Sequence, residues 1–115
     1  MEYLDSPDKF KEKVSSKKSL VIYCNNWCLP CKDLIEDLNK PTIIKFFETY
    51  NIDIFYIQSD CPNLDKMTSN PIISIPSIEF YQKGVNLDIQ EGYFGIEKLL
   101  EAIVLRFGLE NNPDN

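Results

Sequence analysis

Histidine is missing altogether from the 115 residues of this chain. Its absence excludes Cys-His and Ser-His-Asp mechanisms, and every imidazole-ligated metal site, at once. A basic stripe is missing too. The formal charge is -6, so nothing is arranged to displace counterions from a phosphate backbone, and no nucleic-acid partner is expected. Lys9, Lys11, Lys13, Lys17 and Lys18 crowd the N-terminal region, but Glu2, Asp5, Asp8 and Glu12 are interleaved with them, which reads as a solvated helix face. No apolar run approaches the roughly 20 residues of a membrane span. Met1-Glu2-Tyr3-Leu4-Asp5 lacks the basic-then-apolar order of a signal peptide. Neither export nor a membrane partner is expected. Repeats, linkers and low-complexity stretches are absent as well. At this length the expectation is one domain, residues 1–108, and a polar tail, 109–115.

What the chain does have is an ordinary globular composition, 43% hydrophobic and 26% charged, and four cysteines. Two of them stand in Trp27-Cys28-Leu29-Pro30-Cys31-Lys32, where a strand-like run gives way to a helix-like one. At a helix N-terminus, unpaired N–H groups and the positive end of the dipole favour a thiolate over a thiol. A cysteine whose pKa falls from about 8.5 toward 7 or below is a nucleophile at neutral pH. A second cysteine one turn further on can attack the resulting mixed disulfide and release the product. The competing reading is a zinc site completed by Cys24 and Cys61. Against it, Cys24 falls inside a strand-like run. Nothing else suggests a secreted disulfide scaffold, so the cysteines point to a reducing compartment, the cytoplasm.

Ser6-Pro7-Asp8 reads as a helix start, with a capping Ser, Pro at the first helical position and an acid in the first turn. Phe10 and Val14 give that helix its apolar stripe. The run Ser19 to Cys24 fits a central parallel strand buried on both faces. After the motif, Leu34, Ile35 and Leu38 mark the inner face of a helix that Pro41 should kink or break. Ile43, Ile44, Phe47 and Tyr50 resume the stripe, and Ile52 to Gln58 is a second buried strand. Ser59 to Asn70 is polar, with a short helix around Leu64 to Met67. Ser77 to Tyr81 and Val85 to Ile89 alternate with period two around Gln82-Lys83-Gly84, a hairpin signature. Ile96, Leu99, Leu100, Ile103, Val104 and Phe107 predict a final amphipathic helix stopped by Gly108, with Leu109 onward fraying. Met1 to Leu4 is a candidate edge strand. The class is α/β: a central mixed sheet of four to five strands with helices on both faces.

This order of elements, with Trp-Cys-x-Pro-Cys-Lys after the first core strand and Ile75-Pro76-Ser77 before the hairpin, resembles the thioredoxin family. The resemblance runs from about Ser6 to Phe107. It implies a thioredoxin-like fold and a thiol–disulfide oxidoreductase with a redox-active Cys28–Cys31 pair, Cys28 attacking and Cys31 resolving. It implies no cofactor and no metal. Protein disulfides are the implied substrates of a monomer that an upstream reductase recharges. Pro76 carries over as a cis-proline beside the sulfurs, and Ile75 as the residue that pairs its backbone with a substrate chain. Trp27, Ile75 and Gly92 carry over as an apolar docking rim, although Trp27 alone reads equally as core. Pro30 carries over as a restraint on the dithiol. Lys32 is either an electrostatic support for the thiolate or a solvated lysine.

Several residues depart from the family pattern. Ile22 stands where thioredoxins usually bury an aspartate, and Tyr56 where a lysine often partners it. Proton transfer at the second cysteine must then use water or another group. Leu29 replaces the usual glycine, and Glu91 puts a charge beside Gly92. The stretch through Pro41 and Ile43-Ile44-Lys45-Phe46-Phe47 resembles a thioredoxin-like branch that includes the C-terminal domain of the bacterial membrane thiol reductase. Cys24 reads as a small apolar filler, and Cys61 as a passive loop cysteine or a regulatory thiol. The alternative function is a protein-binding or chaperone-like module with weak redox activity.

Overall fold

Seven consecutive buried residues, Lys18–Cys24, form the strand against which the rest of the chain is assembled. The computed structural model describes residues 2–109. Its elements in chain order are β1 (Glu2–Tyr3), α1 (Pro7–Lys13), β2 (Lys18–Cys24), α2 (Leu29–Leu38), α3 (Pro41–Thr49), β3 (Ile52–Gln58), a 3₁₀ turn (Leu64–Lys66), β4 (Ser77–Gln82), β5 (Val85–Glu91) and α4 (Ile96–Phe107). The sheet order is β1-β3-β2-β4-β5. β2 pairs parallel with β3 and antiparallel with β4, while β1 and β5 form the two edges.

Each face of the sheet carries its own core. On one, Leu20, Ile22 and Cys24 of β2 meet Cys31, Leu34 and Leu38 of α2, Ile43 and Phe47 of α3, and Leu99, Ile103 and Phe107 of α4. On the other, Val21, Tyr23, Phe55 and Tyr81 are covered by Phe10 and Val14 beside α1 and by Met67 after the 3₁₀ turn. The alternation of β2 between the two clusters explains why its sequence is apolar from Leu20 to Cys24.

Local signals act where expected. Ser6 caps α1, its Oγ accepting the Lys9 N–H at 3.3 Å. Pro41 forces Lys40 into an extended conformation (ψ 138°), so α2 ends and α3 restarts with Pro in its first turn. Lys83 and Gly84 have φ of 52° and 82°, as a two-residue type I′ hairpin requires.

Five details of the sequence reading are corrected. β4 does not alternate between wet and dry faces, because Ser77 and Glu79 are as fully buried as Ile78. Lys18 is buried rather than solvated, and desolvation, helped by Lys17, lowers its pKa. Ile44 and Val104 point outward, each lying too far round its helix from the buried stripe. The polar tail does not begin at Leu109. Gly108 takes the left-handed conformation (φ 62°), the Leu109 N–H bonds the Val104 carbonyl at 2.9 Å, and Leu109 packs on the first cluster. Residues 110–115, the rest of that tail, lie outside the described residues.

Candidate active site

The buried run of β2 delivers Cys24 to the end of the sheet, where Asn25 fixes the chain's exit. Asn25 donates from Nδ2 to Ser59 Oγ at 2.7 Å and accepts the Asn26 N–H on Oδ1 at 2.8 Å. The Asn25 carbonyl accepts the Cys28 N–H at 3.3 Å. Cys28 is thereby held as the N-cap of α2. It has extended backbone angles, and its Sγ accepts the Cys31 N–H at 3.3 Å. A sulfur in that position meets the unpaired donors and positive end of the helix. Pro30 stands in the first turn, where its missing N–H costs nothing.

Cys28 keeps 6% of its surface exposed and Cys31 1%, so a partner meets the first sulfur before the second. Burial, and then the hydrogen bond with Cys28, raises the Cys31 thiol to a pKa of about 12. Cys24, buried in the same cluster, is pushed up to about 11, by burial first and by Cys28 second. Cys61 belongs to the opposite cluster, where its Sγ faces the carbonyls of Pro62 and Asp5 at 3.4 and 3.9 Å. Among the described residues no group of Cys, Asp and Glu side chains is placed to hold a metal ion. Cys24 and Cys61 lie on opposite faces of the sheet, not together.

The loop before β4 brings the next residues to the same place. The Ile75–Pro76 bond is cis, Pro76 is buried, and its carbonyl accepts the Gly92 N–H at 2.7 Å. Ile75 packs on the cluster that holds Cys28 and Cys31. Gly92 has φ 87°, and a Cβ there would stand 3.1 Å from the Phe94 ring. Trp27 is 73% exposed, so it is not part of the core. Lys32 is exposed and makes no ion pair among the described residues. Glu91 is exposed, opposite Ser77 in the hairpin register. Ile22 and Tyr56 are both buried, and burial followed by Cys24 raises the Tyr56 hydroxyl's pKa. Among the described residues the buried charged side chains are Lys18, at the opposite end of β2, and Glu79, on the other face of the sheet.

Three features were not picked out from sequence. Ile73 and Phe94, close in sequence to Ile75 and Gly92, are exposed apolar residues that belong to no periodic stripe; exposed Leu29 of the motif joins them. Tyr93 donates to Asp37 Oδ2 at 2.5 Å and Lys40 pairs with Asp37 at 2.8 Å, tying the loop after β5 to α2. A cavity of about 390 Å³ lies there, lined by Pro30, Asp33, Glu36, Asp37, Tyr93 and Gly95. A larger concavity of about 780 Å³, between α3 and β3, is far from the cysteines and lined by residues such as Ile44, Phe47 and Ile54. Third, Glu79 has no exposed surface at all.

The family model named Thioredoxin matches residues 3–104. The chain belongs to the thioredoxin family. Solved thioredoxins share its fold. One from Fasciola hepatica is 18% identical with a TM-score of 0.74, the alignment covering 92% of this chain and 99% of that one. Thioredoxin f2 of Chlamydomonas reinhardtii is 20% identical with a TM-score of 0.72, covering 96% and 99%. Mitochondrial thioredoxin 3 of Saccharomyces cerevisiae, in its oxidised form, is 18% identical with a TM-score of 0.69, covering 91% and 93%. At these identities the likeness is one of fold. No curated protein matches the sequence. Family membership, with the Cys-x-x-Cys pair at the family's position, supports thiol–disulfide oxidoreductase function.

Proposed function

We propose that this thioredoxin-family chain reduces protein disulfides, with Cys28 as nucleophile and Cys31 as resolving thiol. The Cys28 thiolate attacks one sulfur of the substrate disulfide and expels the other as a thiolate, which takes up a proton. Cys31 then gives up its proton and attacks Cys28 Sγ. The second substrate sulfur leaves, two electrons pass to the substrate, and a Cys28–Cys31 disulfide remains. An upstream reductase returns two electrons. The dithiol carries the electrons itself, so the cycle calls for no cofactor.

The observation that carries this reading is the placement of Cys28 Sγ at the N-cap of α2, with Cys31 buried one turn behind it. Burial keeps Cys31 protonated until a mixed disulfide forms. Trp27, Ile75 and Gly92 form the rim that receives the substrate chain, Ile75 and Pro76 line it, Pro30 stiffens the first turn, and Lys32 adds positive charge nearby. Among the described residues no helix is long and apolar enough to cross a membrane. A dithiol that must be recharged fits a reducing compartment, and we place residues 1–108 in the cytoplasm as one monomeric domain, with Cys61 free to act as a regulatory thiol.

Replacing each cysteine in turn tests the cycle. Cys28→Ser abolishes turnover of a disulfide protein such as insulin, and Cys31→Ser accumulates covalent mixed disulfides visible on non-reducing gels. The binding-module alternative, favoured by Ile22 and Tyr56 filling the buried acid–base position, predicts instead that both variants capture partners as wild type does. Direction follows from the reduction potential: values near about -270 mV indicate a reductant and near about -120 mV an oxidant.

A further inference from the structure

Glu79 lies in the middle of β4, on the face of the sheet opposite the dithiol, and is fully buried. No lysine or arginine pairs with it among the described residues. A carboxylate in that setting is tolerated only where donors replace water on both oxygens. Here the donors are many. Oε1 accepts from the Tyr23 hydroxyl at 2.5 Å and the Tyr81 hydroxyl at 3.1 Å. Oε2 accepts from Thr68 Oγ1, Asn70 Nδ2 and Asn86 Nδ2, each at 2.9 Å. That occupies about every lone-pair direction a carboxylate offers.

The donors' places in the chain give the arrangement its meaning. Thr68 and Asn70 belong to the connector from the 3₁₀ turn to β4, which has neither helix nor strand of its own. Asn70 and Thr68 also bond each other, the Asn70 N–H donating to Thr68 Oγ1 at 3.1 Å. Ser69 and Tyr81 add a hydroxyl–hydroxyl bond of 3.0 Å. Ile72 still packs on the Glu79 side of the sheet, whereas Ile75 packs on the Cys28 side. The connector therefore rounds the end of the sheet between Asn70 and Ile75. Ser77 Oγ donates to the Ser74 carbonyl at 2.6 Å and fixes its far end. Exposed Ile73 and half-buried Ile75 hang between the two anchors.

We infer that Glu79 is a positioning residue for substrate binding. It holds from beneath the sheet the loop that presents Ile73, Ile75 and Pro76 beside Cys28, and so sets the affinity for protein disulfides without touching them. The inference rests on the proposed reading of Cys28, because only a docking chain makes that loop's position matter. Uniform loss of loop contact in ground and transition states raises KM and leaves kcat alone.

Two substrates separate this role from a merely structural one: insulin, which must lie along the loop, and 5,5′-dithiobis(2-nitrobenzoic acid), which is too small to do so. Asn70→Ala and Glu79→Ala raise KM for insulin about fivefold or more, the loss of one or two bonds to a buried acceptor. Both change insulin kcat and the rate with the small disulfide far less. Glu79→Gln restores insulin KM, since its amide oxygen can face Thr68, Asn70 and Asn86 while its NH₂ faces the tyrosine oxygens. If Glu79→Ala fails to fold, Asn70→Ala decides alone, because it leaves Glu79 its bonds to Tyr23, Tyr81 and Asn86. An unchanged insulin KM in Asn70→Ala, or equal losses with both substrates, overturns the inference. A wild-type protein inactive toward both substrates overturns the Cys28 reading and the positioning role with it, a result distinct from active wild type with indifferent variants.

Discussion

Ile22 shares a buried cluster with Cys28 and Cys31, at the position where thioredoxins usually hold an aspartate. A methyl group there neither takes nor gives a proton, so in the proposed cycle the Cys31 proton must leave through water or another group. In the mixed disulfide Cys28 no longer bonds Cys31, but burial, the first cause of the raised Cys31 pKa, persists. The sign follows directly. For a thiol titrating far above neutrality, each pH unit gained raises the thiolate fraction tenfold, and the resolving rate rises with it until the pH nears that pKa. A stopped-flow measurement of product release from pre-formed mixed disulfide, between pH 6 and 9, should show that slope. Ile22→Asp should flatten it and raise the neutral-pH rate by about tenfold or more, as a positioned general base does. The same variant loses stability to urea by several kcal/mol, about the cost of burying an unpaired carboxyl. A resolving rate indifferent to pH, or no gain from Asp, would show that another group already moves this proton.

At the scale of elements, the site depends on loops that side chains, more than backbone ladders, hold in place. The Tyr93 hydroxyl bonded to Asp37 anchors the Gly92–Gly95 loop to α2. Lys40 first, and Tyr93 second, hold the Asp37 carboxyl below its usual pKa. That contribution to stability is present above the normal carboxylate pKa and fades as pH falls through the depressed value. Tyr93→Phe should therefore cost about 1 kcal/mol in urea unfolding at pH 7, and less at pH 3. An equal cost at both pH values would mean that the hydroxyl acts by packing alone. What the sequence made legible at this scale was whatever one local rule dictates. The apolar run of β2, Pro41 between α2 and α3, Gly84 in the hairpin and Gly108 after α4 each acted as residue chemistry predicts. So did the Cys28–Cys31 spacing at a helix start. Glu79 was not legible, because a strand reading Ser-Ile-Glu-Phe-Tyr implies a wet face. Residues from elsewhere in the chain bury that face: Phe10, Val14 and Met67 cover it, and Tyr23, the connector and Asn86 of β5 supply donors. Leu109 was missed for a similar reason: its contact with α4 belongs to the helix's C-terminal motif, not to a periodic stripe.

Across the whole molecule, charge is sorted by the ends of the sheet. β2 and β3 finish, and β4 begins, at the Cys28 end. The loops and element ends near it carry Asp5, Asp33, Asp60, Asp65, Glu91 and Glu97 against Lys32 and Lys66. Lys13, Lys17, Lys18 and Lys83 gather at the other end, outnumbering Glu12 and Asp53 there, and the Lys83 N–H bonds the Ser16 carbonyl at 2.9 Å. Apolar Trp27, Leu29, Ile73 and Phe94 are thus set in an acidic field. Such a field speeds the encounter with partners of opposite charge and slows it with partners of like charge. A disulfide peptide flanked by lysines should therefore give a larger kcat/KM than the same peptide flanked by glutamates, by about tenfold at low salt. Raising ionic strength from about 10 mM to about 0.15 M shrinks the screening length from about 30 to about 8 Å and should close most of that gap. Asp33→Lys with Glu91→Lys should narrow or invert the preference at low salt while leaving the two peptides equal at high salt. Equal rates for both peptides in about 10 mM salt would mean that the apolar rim alone selects the partner, the acidic loops serving solubility instead.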